Sequence, residues 1–231
     1  MSVQRTSVER MPVEHVPLDL IGGYACALQA QHYVLMRDVD MIGERRSLLR
    51  PLFEELESDH PGVHEDRDRA RDVLRFAFDA SGEPVLAAAE AVTLVGASDN
   101  FGPREHKRLW LRDNDVIRRF ATSILAVIGL RQLPPAGRIS FDLFRTRRVV
   151  THSRHRDGET YVGIYCVERH CEGAVTELSL DQAGTQIVFR RELQPGAFLL
   201  FRDDQFFHHT TEITTAPELR PYRHAIVVTV S

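Results

Sequence analysis

Lysine is nearly missing from this chain: of 29 lysines and arginines, Lys107 alone is a lysine, a compositional bias that singles out no site. Cysteine is scarce too. Cys26, Cys166 and Cys171 are odd in number and widely spaced, which excludes the paired framework of a small secreted domain and fits a reducing cytosol. No long hydrophobic run occurs; the greasiest stretch, residues 121–130, is interrupted by Thr122 and Ser123 and is too short to span a bilayer. The N-terminus places acids and prolines ahead of any apolar run, so no secretory signal is expected and the protein is expected to be cytoplasmic, with no membrane partner. Nor is there an excess of positive charge. A formal net charge of −4 and a pI near 6.3 exclude the basic stripe of a nucleic-acid binder, leaving small molecules as the expected partners. Gly96 and Gly102 lack both the spacing and the Lys-Ser/Thr partner of a phosphate loop, and no internal repeat is present.

What is present divides at Pro134-Pro135-Ala136-Gly137. Before it, Leu18, Leu20, Ile21, Tyr24 and Leu28 recur at helical spacing within residues 16–36, and Leu48, Leu49, Leu52, Phe53 and Leu56 predict a second helix that stops at Asp59-His60-Pro61-Gly62. A third begins at a cap supplied by Asp113 or Asn114, with Val116, Ile117, Phe120, Ile124, Val127 and Ile128 along one side until Gly129. Residues 64–101 do not decide between helix and strand, although the run from His64, HEDRDRARD, has the composition of a solvated helix start. After the break, Ile139, Phe141 and Leu143 alternate with Ser140, Asp142 and Phe144, and β-rich stretches continue to the end. Helices first and strands second fit an α+β, mainly β fold, a cupin-like jelly roll (double-stranded β-helix) backed by N-terminal helices, rather than a βαβα parallel sheet. The length suits one domain over residues 1–231, with 1–133 as helical support and outer strands and 134–231 as the jelly-roll core.

The chemistry concentrates in that second half. Of two His-x-Asp tripeptides, His64-Glu65-Asp66 sits in the charged run, while His155-Arg156-Asp157 lies between Val149-Val150 and the strand-forming Tyr161-Val162-Gly163-Ile164-Tyr165-Cys166-Val167. In extended backbone, residues i and i+2 leave the same face, so His155 and Asp157 can bind one cation together. A second imidazole comes from Phe206-Phe207-His208-His209-Thr210-Thr211, where strand alternation turns His208 and His209 to opposite faces, so at most one of them completes the set. Two imidazoles and one carboxylate on one side of a divalent metal leave the opposite positions open, as non-haem Fe(II) oxygenases require. Arg223 then opens the terminal strand Ala225-Ile226-Val227-Val228-Thr229-Val230, and its planar fork suits the distal carboxylate of 2-oxoglutarate. A zinc site from Cys166, His170 and Cys171 is set against this, but one loop supplies all three and a second Cys-x-x-Cys half is missing.

These pieces resemble the bacterial iron(II)/2-oxoglutarate dioxygenases that hydroxylate free amino acids, the isoleucine 4-hydroxylase group. The likeness rests on His155-Arg156-Asp157, Glu172-Gly173-Ala174, Phe207-His208-His209-Thr210-Thr211 and Arg223-His224-Ala225-Ile226-Val227-Val228-Thr229, over roughly residues 139–231. It implies Fe(II) held by His155, Asp157 and His208, with Arg223 on 2-oxoglutarate, and O2 consumed as succinate and CO2 are released. It assigns the distal ligand to His208, because an aromatic residue precedes that ligand and Thr follows three positions later. Two departures, Glu212 where a Pro is common and Gly173-Ala174 where a Gly pair is common, point to a diverged member. An amino acid substrate needs a donor for its carboxylate and an acceptor for its ammonium; Asp142 and Arg145 are candidates, though alternation places them on opposite faces. The same iron chemistry can end in desaturation or ring closure, and a cupin-like metal-binding isomerase or sensor is the alternative without oxygenase activity.

Overall fold

The computed structural model describes residues 18–60, 64–89, 108–148, 153–214 and 221–231. Its main element is an eight-stranded antiparallel sheet whose strands follow β1 (Tyr33–Arg37), β2 (Glu57–His60), β3 (His64–Phe78), β4 (Pro84–Ala88), β5 (Ala136–Thr146), β6 (Tyr161–His170), β10 (Ala197–Arg202) and β13 (Tyr222–Val230). They run in the order β1-β10-β6-β13-β5-β3-β2, with β4 also paired to β3. A three-stranded sheet of β11 (Phe207–Thr210), β8 (Val175–Ser179) and β9 (Ile187–Glu192), and a two-stranded one of β12 (Ile213–Thr214) and β7 (Glu172–Gly173), complete the strands. This antiparallel arrangement is the jelly-roll type expected for residues 134–231.

Strand alternation gives the main sheet two faces with separate cores. On one, Ile139, Phe141, Leu143, Tyr165, Phe198, Leu200, Ile226 and Val228 pack beneath helix α3 (Asp115–Ile128). Phe120 of α3 holds that face together, with ring centroids 4.9 Å from Phe198 and 5.1 Å from Tyr165. Asn114, not Asp113, caps the helix: its side-chain oxygen accepts from Val116 N and Ile117 N, each at 3.1 Å. On the other face, Val162, Ile164, Cys166, Leu199 and Phe201 meet Leu178 and Phe189 of the smaller sheet, forming the apolar interior of the barrel.

Three helical expectations are revised. Helix α1 covers Leu18–Gln31 and stops at His32, which adopts φ +63°; the remainder of the predicted span is β1, whose residues alternate against β10. The predicted helix over residues 47–56 is a 3₁₀ segment, Arg46–Phe53, because Pro51 inside it cannot donate to an α-helical ladder. The charged run opening at His64 is not a helix start but β3, the longest strand described, paired with β2 and β5. Its arginines explain this: Arg67, Arg69 and Arg71 fall at every second position, the strand period, while Ala70, Leu74 and Phe76 of the other face enter the helix-side core.

Candidate metal centre

The loop entering β6 carries His155 and Asp157, and β11 carries His208. Reciprocal backbone hydrogen bonds lock the two arms: His155 N donates to His208 O at 3.1 Å and His208 N to His155 O at 2.9 Å. The imidazole centroids are 4.3 Å apart, and one ligand atom from each of His155, Asp157 and His208 lies within 4.8 Å of the others. Among the described residues this is the one group of His, Cys, Asp and Glu placed to hold a metal ion; Cys166, His170 and Cys171 do not form one. His209 turns to the opposite face, toward Arg154 and Glu177, as alternation requires.

The donor atoms are prepared for a cation. His155 Nδ1 faces Ser153 O at 3.0 Å, leaving Nε2 beside Asp157 Oδ1 at 3.4 Å, and His208 Nε2 is 3.7 Å from Asp157 Oδ2. Burial pushes His208 down to about 4, so at neutral pH it is an uncharged imidazole, with one nitrogen free of a proton. Burial works against the Asp157 carboxylate, but His155, His208 and Arg69 together hold its pKa below the ordinary value. Burial also opposes charge on His155, yet Asp157 and the Ser153 carbonyl raise its pKa. The pair thus favours a proton on His155 and charge on Asp157, and an entering divalent cation competes with that proton. Side-chain exposure of 27% at His155 and 28% at Asp157, against 7% at His208, sets the entrance on the loop side.

Arg223 lies at the start of β13, 2% exposed, beside the Cys166 thiol and paired in register with Thr146 and Arg169. Its Nε and Nη2 have no hydrogen-bond partner. Two buried guanidinium nitrogens without an acceptor are costly unless an anion completes them, so the residue fits the distal carboxylate of a keto-acid cosubstrate.

The substrate candidates separate as alternation requires. Asp142 is opposite Val227, on the barrel face, where Arg69 Nη2 and Nε donate to its Oδ1 at 2.7 and 3.0 Å and Arg71 Nε stands 3.6 Å from Oδ2. Arg145 is on the helix-side face, donating to Phe53 O, to Asp68 and to His224 Nε2 at 3.1 Å, so it is excluded from an interior pocket. Sequence reasoning missed Arg69 and Arg71, although their alternate spacing in β3 was visible, and it missed Asp203, which is buried beside His208.

The His224 contact has a consequence for stability. Burial first, then Arg145, lowers its pKa from 6.5 to about 4. The folded chain therefore refuses a proton that the unfolded chain accepts, and this part of the stability is present above pH 6.5 and lost as pH falls toward 4. The melting temperature of the metal-free protein should drop across that window, and less steeply in His224→Gln; an identical slope in the variant would exclude His224 as a source.

Residues 143–229 match the family model described as 2OG-Fe dioxygenase. That family uses Fe(II), 2-oxoglutarate and O2. No curated protein matches the chain by sequence. Among solved structures, the chain is similar to a bsmA homolog from Methylobium petroleophilum PM1, at TM-score 0.76 and 20% identity over 91% of this chain and 92% of that one. It is also similar to IDO from Bacillus thuringiensis, at TM-score 0.66 and 16% identity over 91% and 98% of the two chains. The Fe(II)/(alpha)ketoglutarate-dependent dioxygenase TqaL superposes at TM-score 0.72 and 12% identity, over 92% and 86%. At these identities the structural likenesses establish the fold. No helix among the described residues is long and apolar enough to cross a membrane.

Proposed function

We propose that this protein, whose residues 143–229 match the 2OG-Fe dioxygenase family model, hydroxylates an unactivated C–H bond of a free amino acid or close derivative. His155, Asp157 and His208 would hold Fe(II), and Arg223 would hold the far carboxylate of 2-oxoglutarate. When bound, iron and cosubstrate supply dioxygen activation coupled to oxidative decarboxylation, with succinate and CO2 as coproducts. The chain's own residues would do the rest: the three ligands would hold the metal from one side and leave other positions open, and Ile164, Leu178, Leu199 and Val227 belong to the apolar interior of the barrel. The observation that carries this reading is the buried Arg223, whose Nε and Nη2 have no hydrogen-bond partner. A metal-binding isomerase or sensor has no use for it.

An amino acid substrate is supported by the wall of β3 and β5. Arg69 donates to the Asp142 carboxylate, and Arg71 Nε stands 3.6 Å from its other oxygen. Arg71 Nε has no hydrogen-bond partner, and Arg69 is close enough to Asp157 to lower its pKa. A substrate carboxylate bound here would lie beside the metal loop, with regioselectivity set by which C–H bond that anchor presents. Arg71→Gln should raise the substrate KM roughly 10-fold or more, the loss of one hydrogen bond to a charged group, and leave the KM for 2-oxoglutarate unchanged; an unaltered substrate KM would remove this wall from recognition.

The function is tested by incubating the Fe(II)-loaded protein with 2-oxoglutarate and a panel of free amino acids. The expected product has gained one oxygen atom, with an equal amount of succinate. Loss of two hydrogens instead would assign desaturation or ring closure, for which the same residues would serve. Absence of succinate with every substrate would count against the oxygenase reading.

A further inference from the structure

The turn between β10 and β11 contributes a side chain that no ligand motif contains. Asp203 is 1% exposed, and its carboxylate is divided between the two arms of the metal centre. Oδ2 accepts from Gly158 N at 2.7 Å and Glu159 N at 3.2 Å, the two amides directly after Asp157. The Asp203 amide in turn donates to Thr160 O at 3.3 Å. Oδ1 faces the other arm, 3.6 Å from His208 Nδ1. Both atoms of that pair are buried, and neither has a hydrogen-bond partner, so among the described residues each is the nearest complement for the other.

We infer that Asp203 is a positioning residue, which ties the loop of His155 and Asp157 to β11 and selects the tautomer of His208 that can bind metal. The inference rests on the triad being the metal site. A neutral imidazole carries one N–H, and which nitrogen holds it is set by the partner of the other. With the proton on Nδ1, the hydrogen is directed at a carboxylate oxygen and the Nε2 lone pair is left toward Asp157 and the cation. The opposite tautomer would set the Nδ1 lone pair against Oδ1 and place a hydrogen where the metal must sit. Carboxylate partners of this kind orient ligating imidazoles and increase their basicity.

Asp203→Asn separates this role from simple bracing of the loop. An asparagine oxygen can still accept from Gly158 and Glu159, but its amide group then donates toward His208 Nδ1 and favours the Nε2–H form. Two-bond nitrogen–proton correlation on the metal-free protein at neutral pH reads the tautomer directly. The wild type should show His208 protonated at Nδ1, and Asp203→Asn should shift it to Nε2. Titration with Co(II) should show affinity falling roughly 10- to 100-fold in the variant. An Nε2–H tautomer in the wild type, or an unchanged tautomer and Co(II) affinity in Asp203→Asn, would overturn the inference. If the variant does not fold, the wild-type tautomer alone decides. His208→Ala is the control: Co(II) binding undiminished in it would reject the triad itself, whereas loss there with no effect in Asp203→Asn would reject only the role of Asp203.

Discussion

His208→Ala is expected to abolish turnover and to weaken Fe(II) or Co(II) binding by about 3 kcal/mol or more, ~100-fold at the least, because one of three donors is removed. His208 is the buried member of the triad, and its backbone is bonded to His155 in both directions, so losing the imidazole leaves the strand pairing in place. The fold should therefore survive. His209→Ala provides the contrast, since its side chain leaves β11 on the other face toward Arg154 and Glu177 and can affect the metal only indirectly. It should fold and retain metal affinity and measurable activity. Affinity lost in His209→Ala and kept in His208→Ala would exchange the two assignments.

Arg223→Ala should be the second large effect, and its signature has two parts. Removing a buried cation that pairs with a carboxylate costs about 2–5 kcal/mol, so the KM for 2-oxoglutarate should rise ~30-fold or more. Arg223→Lys should recover part of this, as a point charge without the two-pronged fork. In the absence of cosubstrate the sign reverses. Wild-type Arg223 keeps Nε and Nη2 buried and unpartnered, a cost that Ala relieves, so the melting temperature of the metal-free variant should equal or exceed that of the wild type. A variant that melts much lower, with an unaltered KM, would make Arg223 a structural residue and remove the reason for naming the cosubstrate.

Much of the site was legible in the sequence because its determinants are local. His155 and Asp157 are two residues apart, the alternation of β11 separates His208 from His209, and Arg223 opens a strand whose apolar register was plain. The β-rich second half was legible for the same reason, as was α3 with its cap. The failures have separate causes. Around His64 acids and arginines were weighed by kind, as in a helix first turn, and not by period, so the every-second-residue spacing of Arg67, Arg69 and Arg71 was overlooked. Alternation separates Arg145 from Asp142, but which face is the interior is decided by where the smaller sheet packs and not by β5 itself. Asp203 had no signal at all, because its partners, Gly158, Glu159 and His208, meet it only through the pairing of β10 with β6 and the return of the chain into β11.

The most direct test is an anaerobic titration of the Fe(II)-loaded protein with 2-oxoglutarate, followed by visible absorption. Chelation of the keto acid to an iron with open positions beside two imidazoles and one carboxylate should produce a charge-transfer band that saturates in the wild type. The band should be absent in His208→Ala and should require far more 2-oxoglutarate in Arg223→Ala. Full intensity in His208→Ala, or no band in the wild type, would contradict the assignment of this centre.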